Sequence, residues 1–220
     1  MAALLKTFLI TIIILTSSSG IIFANDKQYW GEFKIKKNIN KEFTFDIAPQ
    51  IRFKNNDTKA HWSQINLSLA WNIKKYLTII PAYQHIRYEE TNTWKTEYRP
   101  NLSATLKRET QSLKFSDRTR IEYRIKKNIK FWRYRNKFMV KLPIKKTNLI
   151  PNIAGEVFYD NSVGKFNKYR MYYGITYALS KNSRTSFIYL ADNDYEKNAN
   201  TQKWNWQKTN IFFISLDFSF

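Results

Sequence analysis

The chain has 220 residues, a formal net charge of +20, 17% aromatic residues and no cysteine. That length fits one domain, and the missing cysteines exclude both a disulfide framework and a thiolate metal site. The positive balance suits nucleic acid, an anionic membrane or an anion-selective lumen.

The N-terminus narrows this choice. Residues 1–24 carry one charge, Lys6, then an apolar core from Phe8 to Leu15, then small residues from Ser17 onward. Those are the three regions of a cleavable secretory signal peptide. The run is short for a membrane span of about 20 apolar residues. Cleavage is expected after Ala24, with Gly20 the alternative. An exported chain is a poor match for nucleic acid, so residues 25–220 are read as a single exported domain.

Beyond residue 24, polar and apolar residues alternate in eleven segments, near 28–37, 41–54, 61–72, 76–88, 95–107, 111–126, 131–142, 149–159, 168–179, 183–191 and 204–220. Period two is the signature of a strand with two unlike faces, and strands of this length cross a bilayer when tilted. Short turns at 37–41, 73–75, 107–110, 143–148 and 180–182 alternate with longer polar loops at 54–60, 89–94, 126–130, 160–167 and 192–203. The pattern predicts an all-β, antiparallel, up-and-down transmembrane β-barrel in the bacterial outer membrane. Such single-chain barrels have an even number of strands, so ten to twelve are expected, with twelve preferred.

Side-chain size decides which face meets lipid. Phe43, Phe45, Ile47, Ile51 and Phe53 form one bulky row, and Phe212, Ile214, Leu216, Phe218 and Phe220 another. A soluble ligand-binding barrel would turn such rows into a small interior. The smaller residues, Ala48, Ser68, Ala70, Ser103, Ala154 and Gly174, lie on the other face, which is therefore the lumen. Around residues 115–138 the same rule sends Phe115, Ile121, Tyr123, Trp132, Tyr134 and Phe138 toward lipid. The ending at Phe220 resembles the terminal strand read by the outer-membrane insertion machinery, so that machinery and outer-membrane lipids are the expected partners.

Folding each hairpin about its connection estimates what the lumen contains. Glu97 and Arg99 come opposite Arg118, Arg120 and Glu122. Arg124 then faces Arg133, Arg135 faces Glu122 on one side and Glu156 on the other, and Glu156 approaches Arg170. The result is a ladder, Glu97, Arg120, Glu122, Arg135, Glu156 and Arg170, with Arg99, Arg118, Arg124, Arg133 and Lys137 leaving it positive. Such a ladder either fills and stiffens the interior or forms a basic path for small anionic solutes.

Catalysis would need a nucleophile held by a base. The chain has two histidines: His61 at a loop edge, and His85 beside Gln84 with no serine at a recognisable spacing. No enzyme activity is expected, His85 being the one residue worth testing, and an outer-membrane lipid-modifying enzyme is the alternative. No His, Asp or Glu cluster has metal-ligand spacing, and no cofactor is implied. The short turns are rich in lysine, among them Lys36, Lys37, Lys74, Lys75, Lys145 and Lys146, which suits a rim beside anionic headgroups as well as ordinary solvated turns.

Several stretches resemble an uncharacterised family of outer-membrane barrels, domain of unknown function 2490. They are Tyr29-Trp30-Gly31-Glu32-Phe33, Trp94-Lys95-Thr96-Glu97-Tyr98-Arg99-Pro100, Ser116-Asp117-Arg118 through Glu122-Tyr123-Arg124, Trp132 to Lys137, Glu156-Val157-Phe158-Tyr159-Asp160 and Gly164 to Asn167. The resemblance implies an outer-membrane barrel and no activity. The expected role is structural or that of a small passive channel with an anion-biased lumen.

Overall fold

The computed structural model describes residues 26–54, 57–197 and 204–220; the expected signal peptide lies outside them. Eleven strands, joined in chain order, close into one barrel. They are β1 (Asp26–Asn38), β2 (Phe43–Lys54), β3 (Ala60–Lys74), β4 (Leu77–Glu90), β5 (Thr93–Glu109), β6 (Lys114–Lys126), β7 (Lys130–Lys141), β8 (Leu149–Asp160), β9 (Lys165–Ala178), β10 (Ser183–Lys197) and β11 (Trp204–Ser219). Each corresponds to one alternating segment, so the pattern located the strands.

The preferred count of twelve is corrected. If every neighbour pair is antiparallel, a closed ring must alternate direction all the way round, and only an even number fits. Here ten pairs are antiparallel and the closing pair, β1 with β11, is parallel, running from Asp26↔Thr209 to Lys36↔Ser219. At that seam Asn38 N–H donates to Phe220 C=O and Phe220 N–H to Lys36 C=O, both at 2.9 Å. The seam supplies the one reversal of the rule that eleven strands require, and it puts the start of β1 and the end of β11 at opposite mouths. These are called the Asp26 end and the Phe220 end below.

The expected contrast between short turns and long loops is also absent among the described connections. Strands β4 and β5 extend through the expected loop and leave only Thr91 and Asn92 between them. Both have positive φ, 49° and 57°, as the tight type I′ hairpin turn requires. The longest described connection, 142–148, lies at the Phe220 end, where short turns were expected.

Outward residues are large and exposed. Aromatic pairs gather toward both ends: Tyr29–Phe212, Tyr123–Trp132 and Tyr195–Trp204 toward the Asp26 end, Phe43–Trp71, Phe115–Phe138 and Phe33–Phe218 toward the other. Aliphatic residues such as Ile65, Leu67, Leu102, Ile121 and Ile214 lie between them, all exposed. A polar cluster on β6 and β7 interrupts this wall. Asn136, between Tyr134 and Phe138, donates to Asp117 Oδ1 at 2.7 Å and to Thr119 Oγ1 at 3.1 Å.

The interior is divided. Trp30, Ala154, Tyr172, Leu190 and Ile211, with Met139, Ile188 and Phe213, form an apolar cluster against strands β8 to β11 and β1. The inner faces of β5 to β9 carry the charges. Gly174 lies inside as well, and a methyl group there would come within 2.8 Å of Asn152 Oδ1.

Candidate functional site: a charged lumen

Alternation on each strand turns all eleven expected ladder residues inward: Glu97, Arg99, Arg118, Arg120, Glu122, Arg124, Arg133, Arg135, Lys137, Glu156 and Arg170. The strand register differs from the hairpin folding in three of four places. Glu97 pairs with Lys126 rather than with the 118–122 region, because β5 continues to Glu109 and the turn falls at 110–113. Glu122 pairs with Arg133, and Lys137 with Glu156, each two residues from the expected partner. Glu156 does pair with Arg170.

Arginine reach restores most of the expected contacts as diagonals. Arg135 Nη1 donates to Glu122 Oε1 at 2.6 Å, and its Nη2 to Glu156 Oε1 at 2.8 Å, joining β6, β7 and β8 through one side chain. Arg118 Nη2 reaches the same Glu156 oxygen at 3.1 Å, and the Tyr172 hydroxyl donates to its other oxygen. Glu97 is held by Arg99 and by Arg124, whose Nε and Nη2 donate to both of its oxygens. The expected Glu97–Arg120 contact is replaced: Arg120 Nε donates to Ser103 Oγ at 2.8 Å. Although Arg170 lies opposite Glu156, its guanidinium turns the other way and grips Asp192 through Nε and Nη2 at 2.9 and 3.1 Å.

Several participants were not foreseen. Asp160 and Asp192 were assigned to loops, yet they occupy inward positions on β8 and β10, where Asp160 takes Arg133 at 3.0 Å and Asp192 takes Lys168 at 2.9 Å. Arg52 lies between two indoles near the Asp26 end, 3.7 Å from the Trp30 ring and 3.5 Å from the Trp62 ring. The Arg52 signal was in the pattern, two residues after Gln50 and four after Ala48 on the inner face of β2. Among the described residues Lys137 has no carboxylate partner; its ammonium sits 3.4 Å from the Tyr172 ring centre.

Depth sets three of the carboxylates apart from the cations. The side chains of Glu122 and Glu156 are wholly buried and that of Glu97 nearly so, whereas Arg118 keeps 28% of its exposure. A carboxylate on a short stem stays against the wall, and the longer arginine side chain reaches over it. A cavity of 740 Å³ opens toward the Asp26 end, lined by Arg99, Arg118, Arg120, Arg135, Lys137 and other cations and by fewer carboxylates, Glu32, Asp160, Asp194 and Glu196, while Glu97, Glu122 and Glu156 are not part of its surface. It reaches Lys34, Arg118 and Lys137, each four residues from the Phe220 end of its strand. Charge-assisted contacts of this kind are strong only when each buried carboxylate is fully partnered, and Glu97 and Glu156 are partnered at both oxygens.

The residues considered for chemistry lie elsewhere. His85 points outward, edge-on to Tyr98 with ring centres 5.3 Å apart. His61 is buried at the start of β3. Among the described residues no cluster of three His, Asp or Glu could hold a metal ion.

A closed barrel of long strands with a charged interior is a porin-like architecture. The fold is similar to that of the solved structure of the NanC porin, with a TM-score of 0.55, 13% sequence identity, and coverage of 89% of this chain and 99% of that one. At that identity the likeness is one of fold. Residues 27–204 match the model of a protein family of unknown function, DUF2490, and the chain belongs to that family. No curated protein matches the sequence.

Proposed function

We propose that the barrel resides in the bacterial outer membrane and acts as a small passive channel whose lumen selects anions. The observation that carries this reading is the surplus of cations on the lumen surface. Glu97, Glu122 and Glu156 are recessed behind guanidinium groups, and the carboxylates left on the surface of the 740 Å³ cavity, Glu32, Asp160, Asp194 and Glu196, are outnumbered by arginine and lysine. Rings of such side chains select anions in other pores.

Support for the membrane comes from the exterior, where aromatic rows flank an aliphatic band as they do on barrels that meet lipid. Residues 1–24 would direct export, and strand β11 would present Phe212, Ile214, Leu216, Phe218 and Phe220 to the insertion machinery. The reading involves no catalytic step, and His85 would contact lipid.

The test is a planar bilayer holding the purified barrel across a KCl gradient. The expected result is discrete conductance with a reversal potential displaced toward that of chloride. A silent bilayer, or a cation preference, overturns the channel reading.

A further inference from the structure

At the Asp26 end, strand β5 overhangs its neighbour. Glu97 pairs with Lys126, the last residue of β6, so Thr93, Trp94, Lys95 and Thr96 extend past β6 with no partner on that side. The overhang opens a 740 Å³ cleft between the tip of the β4–β5 hairpin and the 127–129 connection. Trp94, Tyr98 and Ile125 supply an apolar wall, and Lys126, Lys127 and Lys130 lie along it. The single carboxylate in the lining, Glu90, is already paired with Lys95 at 2.7 Å. None of the ion pairs among the described residues takes up Lys126, Lys127 or Lys130.

From this arrangement we infer that the cleft binds the phosphate-bearing headgroup of a membrane lipid. The inference rests on the membrane placement proposed above, and it is independent of conduction. Lys126 already lies over the Tyr88 and Phe131 rings, which leaves the ammonium groups of Lys127 and Lys130 to take a phosphate, and the adjoining wall fits the top of an acyl chain. Below the cleft the exterior continues as Tyr98 beside Ile125, then Leu102 beside Ile121. Leu102 and Ile121 are both exposed, so an apolar track leads from the headgroup site into the hydrocarbon layer. A free inorganic phosphate would use only the lysines. Basic pockets beside membrane-spanning segments bind lipid headgroups in this way.

The experiment uses the full barrel in phosphatidylcholine nanodiscs doped with phosphatidic acid, and native mass spectrometry counts the lipid retained. K127Q/K130Q removes two cleft charges, and K145Q/K146Q removes two at the other end as a control for net charge. Each near-surface ammonium contributes about a five-fold factor, so the cleft variant should bind phosphatidic acid about thirty-fold more weakly, while the control stays near the parent. Equal loss in both variants, no retention by the parent, or displacement by millimolar inorganic phosphate each overturns the inference. Flotation with liposomes is run alongside: a barrel that fails to float sinks the membrane reading and the lipid site together, whereas one that floats without retaining lipid sinks the site alone.

Discussion

Arg135 donates to a single Glu156 oxygen from two nitrogens, Nη2 at 2.8 Å and Nε at 3.1 Å. Its remaining nitrogen, Nη1, is on Glu122. Because one guanidinium serves two buried carboxylates, Arg135→Gln should lower unfolding free energy by about 3–5 kcal/mol, the cost of stranding a buried charge. Urea unfolding of the detergent-solubilised barrel measures this. The triple change R135Q/E122Q/E156Q should recover most of the loss, and a single mutant as stable as the parent would show that the network contributes little.

Lys137 faces the cavity and, although Glu156 is its register partner, makes no ion pair among the described residues. Lys137→Gln should therefore leave stability close to the parent's while reducing the chloride-to-potassium permeability ratio. A loss of about 0.5–1 kcal/mol of attraction corresponds to about two- to five-fold. Reversal potentials under a salt gradient report it, and an unchanged ratio would remove Lys137 from the permeation path.

The Trp30–Arg52–Trp62 stack runs along the lumen wall across β1, β2 and β3 near the Asp26 mouth. Arg52→Ala should widen that mouth and hydrate both indoles. The expected readouts are larger unit conductance, a red shift in tryptophan emission, and a stability loss of about 1–2 kcal/mol from the two cation–π contacts. A variant with unaltered current would place the stack outside the constriction.

The parallel seam has a direct chemical test because the chain has no cysteine of its own. Phe33 and Leu216 are register partners on the outer face, so F33C/L216C should crosslink under mild oxidation and change gel mobility. F33C/F212C, off register by four residues, should not. The reverse outcome would mean that the wall closes some other way.

On the outer wall, Asp117 and Asn136 put polar groups where lipid is proposed to lie. Replacing both with leucine removes donor and acceptor together and leaves neither stranded. D117L/N136L should raise unfolding free energy by about 1–2 kcal/mol in bilayers, since acidic groups on a lipid face are destabilising. Destabilisation instead would mark the pair as a structural clasp between β6 and β7.

Strand positions were legible in the sequence because lipid-facing and lumen-facing demands differ at every second residue. The closure was not legible: alternation says nothing about the relative direction of β1 and β11, and the usual parity of such barrels argued for twelve. Registers were legible only where the turn was placed correctly. Residues 107–109 read as a turn because Lys107, Arg108 and Glu109 are all charged, yet they form the end of β5, and the Glu97 pairing moved with them. Contacts made by Arg135 survived a two-residue error because its side chain spans the diagonal. Asp160 and Asp192 were missed because acidic residues at strand ends look like loop residues until their arginine partners are seen.

The unequal depth of the lumenal charges has one more consequence. In the proposed channel, selectivity would depend on side-chain length as well as on charge. Arg118→Lys leaves the formal charge untouched, yet the shorter side chain with its single ammonium would leave Glu156 Oε1 to Arg135 alone and thin the cationic cover above it. Two such barrels with identical charge counts would thus differ in how much carboxylate they leave uncovered, depending on which residues are arginine and which are lysine.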